Sequence, residues 1–326
     1  MHLSVVIPLL NEQDSLEELF QRIKTVCHQN GFDFEVIFID DGSTDDSWKI
    51  IEFLAEVNRE IKAIRFRKNY GKSPALMAAF KQAEGDIIIT MDADLQDFPE
   101  EIPELYEVLK SKNADIISGW KQNRQDPKLT KNLPSKIFNS VARKVSGLEL
   151  HDFNCGLKAY RSEVAKELEL HGDMHRYIPV LAKNIGFGRI YEKKVRHQAR
   201  KYGKSKFGKR RFVNGFLDLI TLSFINRFGN KPMHLFGAVG TLMFIIGFLA
   251  ALYLGLDKLF KVYILEKNAR LITDNPYFYI SLVAMILGTQ LFLAGFIGEI
   301  LIRSQKNKQE FEVRETLNLN SKKQFS

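Results

Sequence analysis

The stretch Asp86–Asp97, DIIITMDADLQD, decides how the rest of the chain is read. Ile87, Ile88 and Ile89, followed by Thr90 and Met91, form a β-branched apolar run without alternation, the pattern of a strand buried on both faces of a parallel sheet. At Asp92 the polarity reverses. Asp92, Asp94, Gln96 and Asp97 arrive together at the strand's carboxyl end, the edge where open α/β sheets hold their ligands. Two carboxylates two residues apart, with an amide oxygen two further on, supply hard oxygen donors suited to Mg²⁺ or Mn²⁺, and an ion held there would grip a diphosphate. A plainer reading stands beside this one: Asp97, ahead of Phe98-Pro99-Glu100, can cap a helix, which would make the segment an acidic turn and nothing more.

Working outward, His2–Leu10 (HLSVVIPLL) reads as a first buried strand closed by polar Asn11-Glu12. A helix from Asp14 to His28 follows, burying Leu16, Leu19, Phe20, Ile23 and Val26. Phe34–Ile39 is a second buried strand running into Asp40–Asp45 (DDGSTD), where Gly42 permits a tight turn and Ser43 or Thr44 can cap the helix of Trp48, Ile51 and Leu54. Ala63–Phe66 is a third strand. Asn69-Tyr70-Gly71-Lys72 then loops into a helix whose Ala75, Leu76, Ala79 and Ala83 let it lie close to the sheet. Beyond the central strand come a helix, Pro99–Lys110, and a strand, Asp115–Ser118. The alternation predicts an α/β fold, a Rossmann-like, mostly parallel sheet with flanking helices. Neither G-x-x-x-x-G-K-[ST] nor G-x-G-x-x-G occurs, so holding phosphate falls to a metal ion.

The 326 residues allow one sizeable α/β domain with about 100 residues to spare. A net charge of +8 suits nucleic acid, a membrane surface or phosphate-bearing substrates. The crowding of Lys and Arg into Lys193–Arg211, next to long apolar segments, favours an anionic membrane and argues against nucleic acid. Cys27 and Cys155 are the only cysteines, so no disulfide framework is implied and a reducing cytosol is expected. The apolar run Val5–Leu10 is short, contains Pro8 and has no basic residues before it, which does not make a signal peptide.

Leu235–Leu256 and Tyr277–Gly298 carry no charge, and each is long enough to cross a hydrocarbon core of about 30 Å. Between them Lys258, Lys261, Lys267 and Arg270 are offset by Asp257, Glu266 and Asp274. The flanks are less compensated, with Lys204–Arg211, Arg227 and Lys231 on one side and Arg303, Lys306 and Lys308 on the other. Positive-inside then places the rest of the chain and both termini in the cytoplasm. Val213–Phe228 and Pro134–Val145 have the spacing of amphipathic helices, able either to lie in the headgroup layer or to pack on the α/β domain. Gly237, Gly240, Gly295 and Gly298 permit close helix contact, within one chain or in a homo-oligomer. The expected organisation is residues 1–211 as the α/β domain, 212–232 as a juxtamembrane helix, 233–303 as two spans, and 304–326 as a polar, mobile tail.

Four motifs occur in one order: V-V-I-P-x-x-N-E (Val5–Glu12), D-D-G-S-x-D (Asp40–Asp45), N-x-G-x-x-x-A (Asn69–Ala75) and D-A-D-L-Q-D (Asp92–Asp97). Together they resemble the inverting GT-A glycosyltransferases of family 2. Gly119–Asp126, Ser135, Phe138-Asn139, Asp152–Arg161, His175–Pro179, Arg196-His197 and Gly203–Phe207 narrow this to a resemblance with the polyprenyl-phosphate glycosyltransferases, the dolichyl-phosphate mannose synthase group. The resemblance implies a nucleoside-diphosphate sugar (UDP- or GDP-) as donor, polyprenyl (undecaprenyl) phosphate as acceptor, and Mg²⁺ or Mn²⁺ as cofactor, at the cytoplasmic face of the inner (plasma) membrane.

Carried over position by position, it assigns Pro8, Glu12, Asp41, Asp92 and Lys206 to the nucleotide and Asp92, Asp94 and Gln96 to the metal. Arg124, Ser135, Arg200 and Ser205 fall to the acceptor phosphate, and Asp94, Arg124 and Asp152 to catalysis. Two positions depart from the pattern: Cys155 stands where some relatives have a proposed catalytic aspartate, with Asp152 close enough in sequence to substitute, and Lys121 where they have an arginine. A phosphomonoester is already largely dianionic at pH 7, so the missing aspartate does not forbid the reaction. Two other readings remain, a family 2 enzyme acting on a sugar or glycolipid hydroxyl and a catalytically silent nucleotide-binding membrane scaffold. A processive polysaccharide synthase would carry Q-x-x-R-W, and neither Trp48 nor Trp120 follows an arginine.

Overall fold

The computed structural model describes residues 2–122, 143, 146–170, 172, 174–199, 201–202, 232–265, 271–304 and 313–318. They fall into two units: 1–226 together with 309–326, and 227–308.

The first unit is built on eight strands: β1 (His2–Leu9), β2 (Asp33–Asp40), β3 (Ile61–Phe66), β4 (Ile87–Thr90), β5 (Ile116–Trp120), β6 (Lys158–Arg161), β7 (Ile190–Lys194) and β8 (Val313–Leu317). Their order is β7-β5-β6-β4-β1-β2-β3-β8. β1 pairs in parallel with both β2 and β4, so the strand order reverses between β1 and β4. A crevice outside the carboxyl ends of the strands follows from such a reversal. Successive residues point to opposite faces. Val5, Ile7, Val36, Phe38, Ile87 and Ile89 pack under α1 (Leu16–Gln29), α2 (Ser47–Val57) and α4 (Ile102–Ser111). Val6, Ile37, Ile39 and Ile88 pack under α3 (Lys72–Gln82), α5 (Ser162–Glu167) and α6 (Ile178–Asn184). With both faces covered, the central strands can be apolar at every position, which is why the isoleucine run shows no alternation.

Three strands were not legible in sequence, β6, β7 and β8. β6 is four residues long, contains Lys158, and runs antiparallel between β4 and β5. β7 reads Ile-Tyr-Glu-Lys-Lys and lies at the outer edge of the sheet. The plainer reading of Asp97 as a helix cap does not hold. The residue caps nothing: the 3-10 turn at Pro99–Glu101 starts from Phe98 without a side-chain cap, and Asp97, fully buried, pairs with Lys121 at 2.6 Å.

The C-terminal segment, expected to be mobile, supplies β8. It pairs antiparallel with β3, Ala63 opposite Leu317 and Arg65 opposite Glu315. The Trp48 indole N–H donates to Glu315 Oε2 (2.9 Å), and Asn318 Nδ2 donates to the Ile61 carbonyl (3.0 Å). Without β8, β3 becomes an unpaired edge, a site for association between chains. Ending the chain at residue 312 is expected to cost about 2 kcal/mol, from the lost strand pairing and the Glu315 contacts. A denaturant melt of the shortened chain measures this, and an unchanged midpoint would show the strand to be dispensable.

The second unit is a helical hairpin, α7 (Pro232–Tyr263) and α8 (Pro276–Ser304). Only 17% of each most apolar window is buried, and Leu242, Ile246, Leu249, Ile280, Val283 and Phe296 are exposed. A core helix of a soluble protein would be covered; these two are long and apolar enough to cross a membrane. The small residues join the helices within one chain. A Cβ at Gly240 would lie 2.5 Å from the Gly288 carbonyl, and one at Gly247 would lie 2.7 Å from that of Ser281.

Candidate active site

Two loops meet across the β1–β2 side of the switch point. Asn11, at φ 51, turns the chain after β1. Its N–H donates to Ser43 Oγ (2.8 Å), while its Oδ1 accepts from the Thr44 N–H (2.7 Å). The Glu12 N–H donates to Ser47 Oγ (3.0 Å). These bonds lock the loop carrying Glu12 to the loop after β2. Asp41 then joins the loop after β3 to the same cluster, accepting the Tyr70 and Gly71 N–H groups at 2.7 and 2.9 Å, one on each oxygen. Gly42 is required at this crowding: its φ is 75°, and a Cβ would lie 2.8 Å from Lys68 Cα. Burial pushes the Asp41 carboxyl up to about 6 against the lowering effect of the two N–H donors. Pro8, paired across to Ile39, lines the same end of β1.

The second group sits at the end of β4. Leu95 adopts φ 56 and is fully buried. A γ-branched side chain in the left-handed region is strained backbone, and this strain lies between the second carboxylate and Gln96. Asp94 is almost buried, and its Oδ1 accepts the Gln96 N–H (3.2 Å). Asp92 accepts a bond from Lys72 Nζ at the start of α3. Burial alone would raise Asp92, but Lys72 and Lys121 outweigh it and hold the carboxylate well below its usual range. Lys121 stays charged in the interior because Asp97 opposes the effect of burial. Paired carboxylates at a strained, rigid turn fit a hard divalent ion.

The wall on the far side of β4 comes from β6 and the turn before it. Thr90 stands opposite Lys158, and Thr90 Oγ1 donates to the Gly156 carbonyl (2.8 Å). Gly156 lies directly against Asp92: a Cβ there would be 2.7 Å from Asp92 Cγ. Lys158 Nζ donates to the Cys155 and Phe153 carbonyls, holding the turn closed from beneath. A 3-10 turn, Met174–Tyr177, approaches from the α3 side. Ser73 Oγ accepts the His175 N–H (2.9 Å) and lies 3.3 Å from His175 Nδ1. Burial and the neighbouring Lys72 and Arg176 hold His175 well below the usual imidazole range, so it is neutral.

The expected residues divide three ways. Pro8, Glu12, Asp41, Asp92, Asp94 and Gln96 all stand at the carboxyl edge of β1, β2 and β4. Asp152 is buried and accepts the Asn154 N–H (3.1 Å), shaping the turn that leads to Gly156. Arg124, Ser135, Arg200, Ser205 and Lys206, and the two amphipathic stretches apart from Arg143, lie outside the described residues. Cys155 is no base: burial pushes its thiol up to about 12. Sequence reasoning singled out neither Lys72 nor Gly156. The signal for Lys72 was its place straight after Asn69-Tyr70-Gly71, at the start of a helix facing the ligand edge; for Gly156 there was none.

A crevice of this topology, with interlocked loops on one side and paired aspartates on the other, defines a GT-A-type glycosyltransferase. Glucosyl-3-phosphoglycerate synthase from Mycobacterium tuberculosis, solved with Mn²⁺, UDP-glucose and phosphoglyceric acid, shares the fold, with a TM-score of 0.53 at 19% identity over 69% of this chain and 79% of that one. The chain belongs to glycosyl transferase family 2, whose family model matches residues 4–169. Among curated proteins it is 33% identical over 308 residues to dodecaprenyl-phosphate galacturonate synthase of Rhizobium johnstonii, covering 93% of this chain and 88% of that protein. It is 34% identical over 301 residues to undecaprenyl-phosphate 4-deoxy-4-formamido-L-arabinose transferase of Proteus mirabilis, covering 92% of this chain and 88% of that protein.

Proposed function

We propose that this glycosyltransferase moves one sugar from a nucleoside-diphosphate sugar to a polyprenyl phosphate at the cytoplasmic face of the inner membrane, inverting the anomeric carbon. The observation that carries the reading is the convergence of the Asp41-held loops and the Asp92–Asp94 pair on one switch point, in a chain whose similarity to lipid-phosphate sugar transferases extends through the apolar hairpin. The interlocked loops of Asn11, Ser43 and Asp41 hold the nucleoside. Asp92, Asp94 and Gln96 would hold Mg²⁺ or Mn²⁺, and the chemistry such an ion would supply there is neutralisation of charge on the diphosphate leaving group. An oxygen of the acceptor phosphate forms the new bond to the anomeric carbon while the bond from that carbon to the diphosphate breaks. The acceptor gives up one negative charge and the leaving nucleoside diphosphate takes it, so no proton has to move. A buried thiol at Cys155 is compatible with that chemistry, whereas a hydroxyl acceptor would call for a base.

Both ends of the hairpin return to the same unit, with β8 following α8 into the sheet. An even number of crossings satisfies this, and the basic flanks favour the cytoplasm for that side. Purified full-length protein in detergent, given undecaprenyl phosphate, Mg²⁺ or Mn²⁺ and a panel of UDP- and GDP-sugars, should release nucleotide and form a lipid-phosphate sugar with one donor. Turnover only with a sugar hydroxyl acceptor would overturn the reading.

Asp41 adds a pH dependence. Its ionised form receives both backbone N–H groups, and protonation removes one of those acceptors. UDP affinity should therefore fall as pH drops through about 6. Titration of UDP·Mn²⁺ binding across about two units either side of that midpoint tests this, and the Asp41→Asn variant should bind weakly with that dependence flattened.

A further inference from the structure

The segment that leaves β7 closes over the aspartate turn, and Gln198 makes the contact. We infer that Gln198 is a positioning residue for the metal site, acting on the Asp94 carboxylate through the peptide that joins Leu95 to Gln96. This rests on the metal-dependent reaction proposed above and adds to it the group that holds the ion's ligands in place.

Gln198 Nε2 donates to the Leu95 carbonyl at 2.5 Å, across 103 positions of sequence. The N–H of the same peptide, that of Gln96, donates to Asp94 Oδ1 at 3.2 Å. A trans peptide points its C=O and N–H in opposite directions, so fixing the carbonyl fixes the aim of the N–H, and the two bonds polarise one another. The Gln198 amide has one way round here, because its oxygen would repel a carbonyl.

Leu95 stands at φ 56° with its side chain buried, and such a conformation persists only where its surroundings over-determine it. Rotation about the Leu95 backbone bonds would relieve the strain. It would also swing the Leu95–Gln96 peptide, turning the N–H away from the Asp94 carboxylate and moving the Gln96 side chain. Gln198 opposes that rotation at two points, since its backbone N–H also donates to the Gln96 carbonyl (3.1 Å).

The footing of Gln198 is itself fixed. The Val195 N–H donates to the Trp120 carbonyl (3.1 Å). Arg196 Nε donates to Glu101 Oε1 (2.7 Å), with the guanidinium 5.0 Å from the Phe98 ring centre, and His197 forms a backbone bridge with Asp97. A donor standing on backbone held at three successive residues can restrain a carbonyl, whereas one on a free loop would follow it.

Mg²⁺ demands near-ideal octahedral positions, while Ca²⁺ tolerates irregular ones. A displaced ligand is therefore felt by Mg²⁺ first. The test titrates UDP by calorimetry into full-length protein in detergent with Mg²⁺, with Ca²⁺ and with EDTA, and uses farnesyl phosphate, a short polyprenyl phosphate, as a control for the acceptor. Gln198→Met keeps the length of the side chain and removes the donor. It should weaken UDP·Mg²⁺ about tenfold and UDP·Ca²⁺ about threefold or less, leaving UDP in EDTA and farnesyl phosphate within about twofold. A role in stability alone would not separate the two ions. Unchanged UDP·Mg²⁺ affinity in Gln198→Met would overturn the inference, and so would a loss of the same size with Mg²⁺ and with Ca²⁺. If Gln198→Met does not fold, Gln198→Asn decides: its amide stops a methylene short of the Leu95 carbonyl, so the preference for Mg²⁺ over Ca²⁺ should still fall, and an unchanged preference refutes the role. Should the unsubstituted protein bind UDP no better with Mg²⁺ than in EDTA, the metal reading itself fails, and the role of Gln198 with it.

Discussion

Asp94→Ala lowers kcat about a thousandfold, with the fold intact and acceptor binding little changed. The expected size follows from the divalent ion that the proposed reaction assigns to this carboxylate. A divalent ion at a departing diphosphate contributes several kcal/mol in the transition state, and each 1.36 kcal/mol is a factor of about ten in rate. Asp94 is nearly buried and sits one residue before strained Leu95, so no neighbouring oxygen can swing into its place without rebuilding the turn. Its loss should therefore appear in kcat and in the metal concentration needed for half-maximal rate, not in the binding of farnesyl phosphate. The neighbouring Asp92 is expected to behave differently. Lys72 is its partner, so Asp92→Asn removes the counterion of that ammonium and is expected to misplace the lysine as well as weaken the proposed ion site. Retention of more than about a tenth of the activity in Asp94→Ala would mean that the metal is held elsewhere or not used.

The contrast between these aspartates shows where the sequence stops being readable. Ile87–Thr90 announces a doubly covered strand because burial on both faces leaves a continuous apolar signature, and the same holds for Val5–Ile7 and Val36–Ile39. The carboxyl-edge positions of Asp41, Asp92 and Asp94 follow once those strands are placed. The far wall of the site follows from nothing local. β6 is short, and its buried lysine donates to carbonyls of the preceding turn, a compensation invisible in a window of residues. β8 brings only Leu317 against the core; backbone pairing and Glu315, whose partner Trp48 is far away in sequence, also hold it. Lys121 looks like a surface residue and is instead the counterion of buried Asp97. What was missed in each case is a long-range pair that satisfies a buried charge or an open edge.

Gly156→Ala is the second large effect, and it arises from one methyl group. The added Cβ would come within 2.7 Å of Asp92 Cγ, closer than nonbonded carbons approach. One side must yield. The turn cannot easily retreat, because Thr90 holds the Gly156 carbonyl at 2.8 Å and Lys158 ties the Cys155 and Phe153 carbonyls below it. Asp92 is the freer partner, its carboxylate being held by a lysine side chain rather than by backbone. The displacement therefore falls on a carboxylate of the proposed metal site, and a shift of about 1 Å at a reacting centre costs on the order of a hundredfold in rate. Stability should suffer much less, since the clash is relieved at the crevice and not in the packed layers of the sheet. The expected pattern is a melting temperature within a few degrees of the unsubstituted protein (about 1 kcal/mol or less), with kcat down about a hundredfold and farnesyl phosphate still bound. Full activity in Gly156→Ala would show that Asp92 has room to spare and that its contact with this turn has no part in placing the donor.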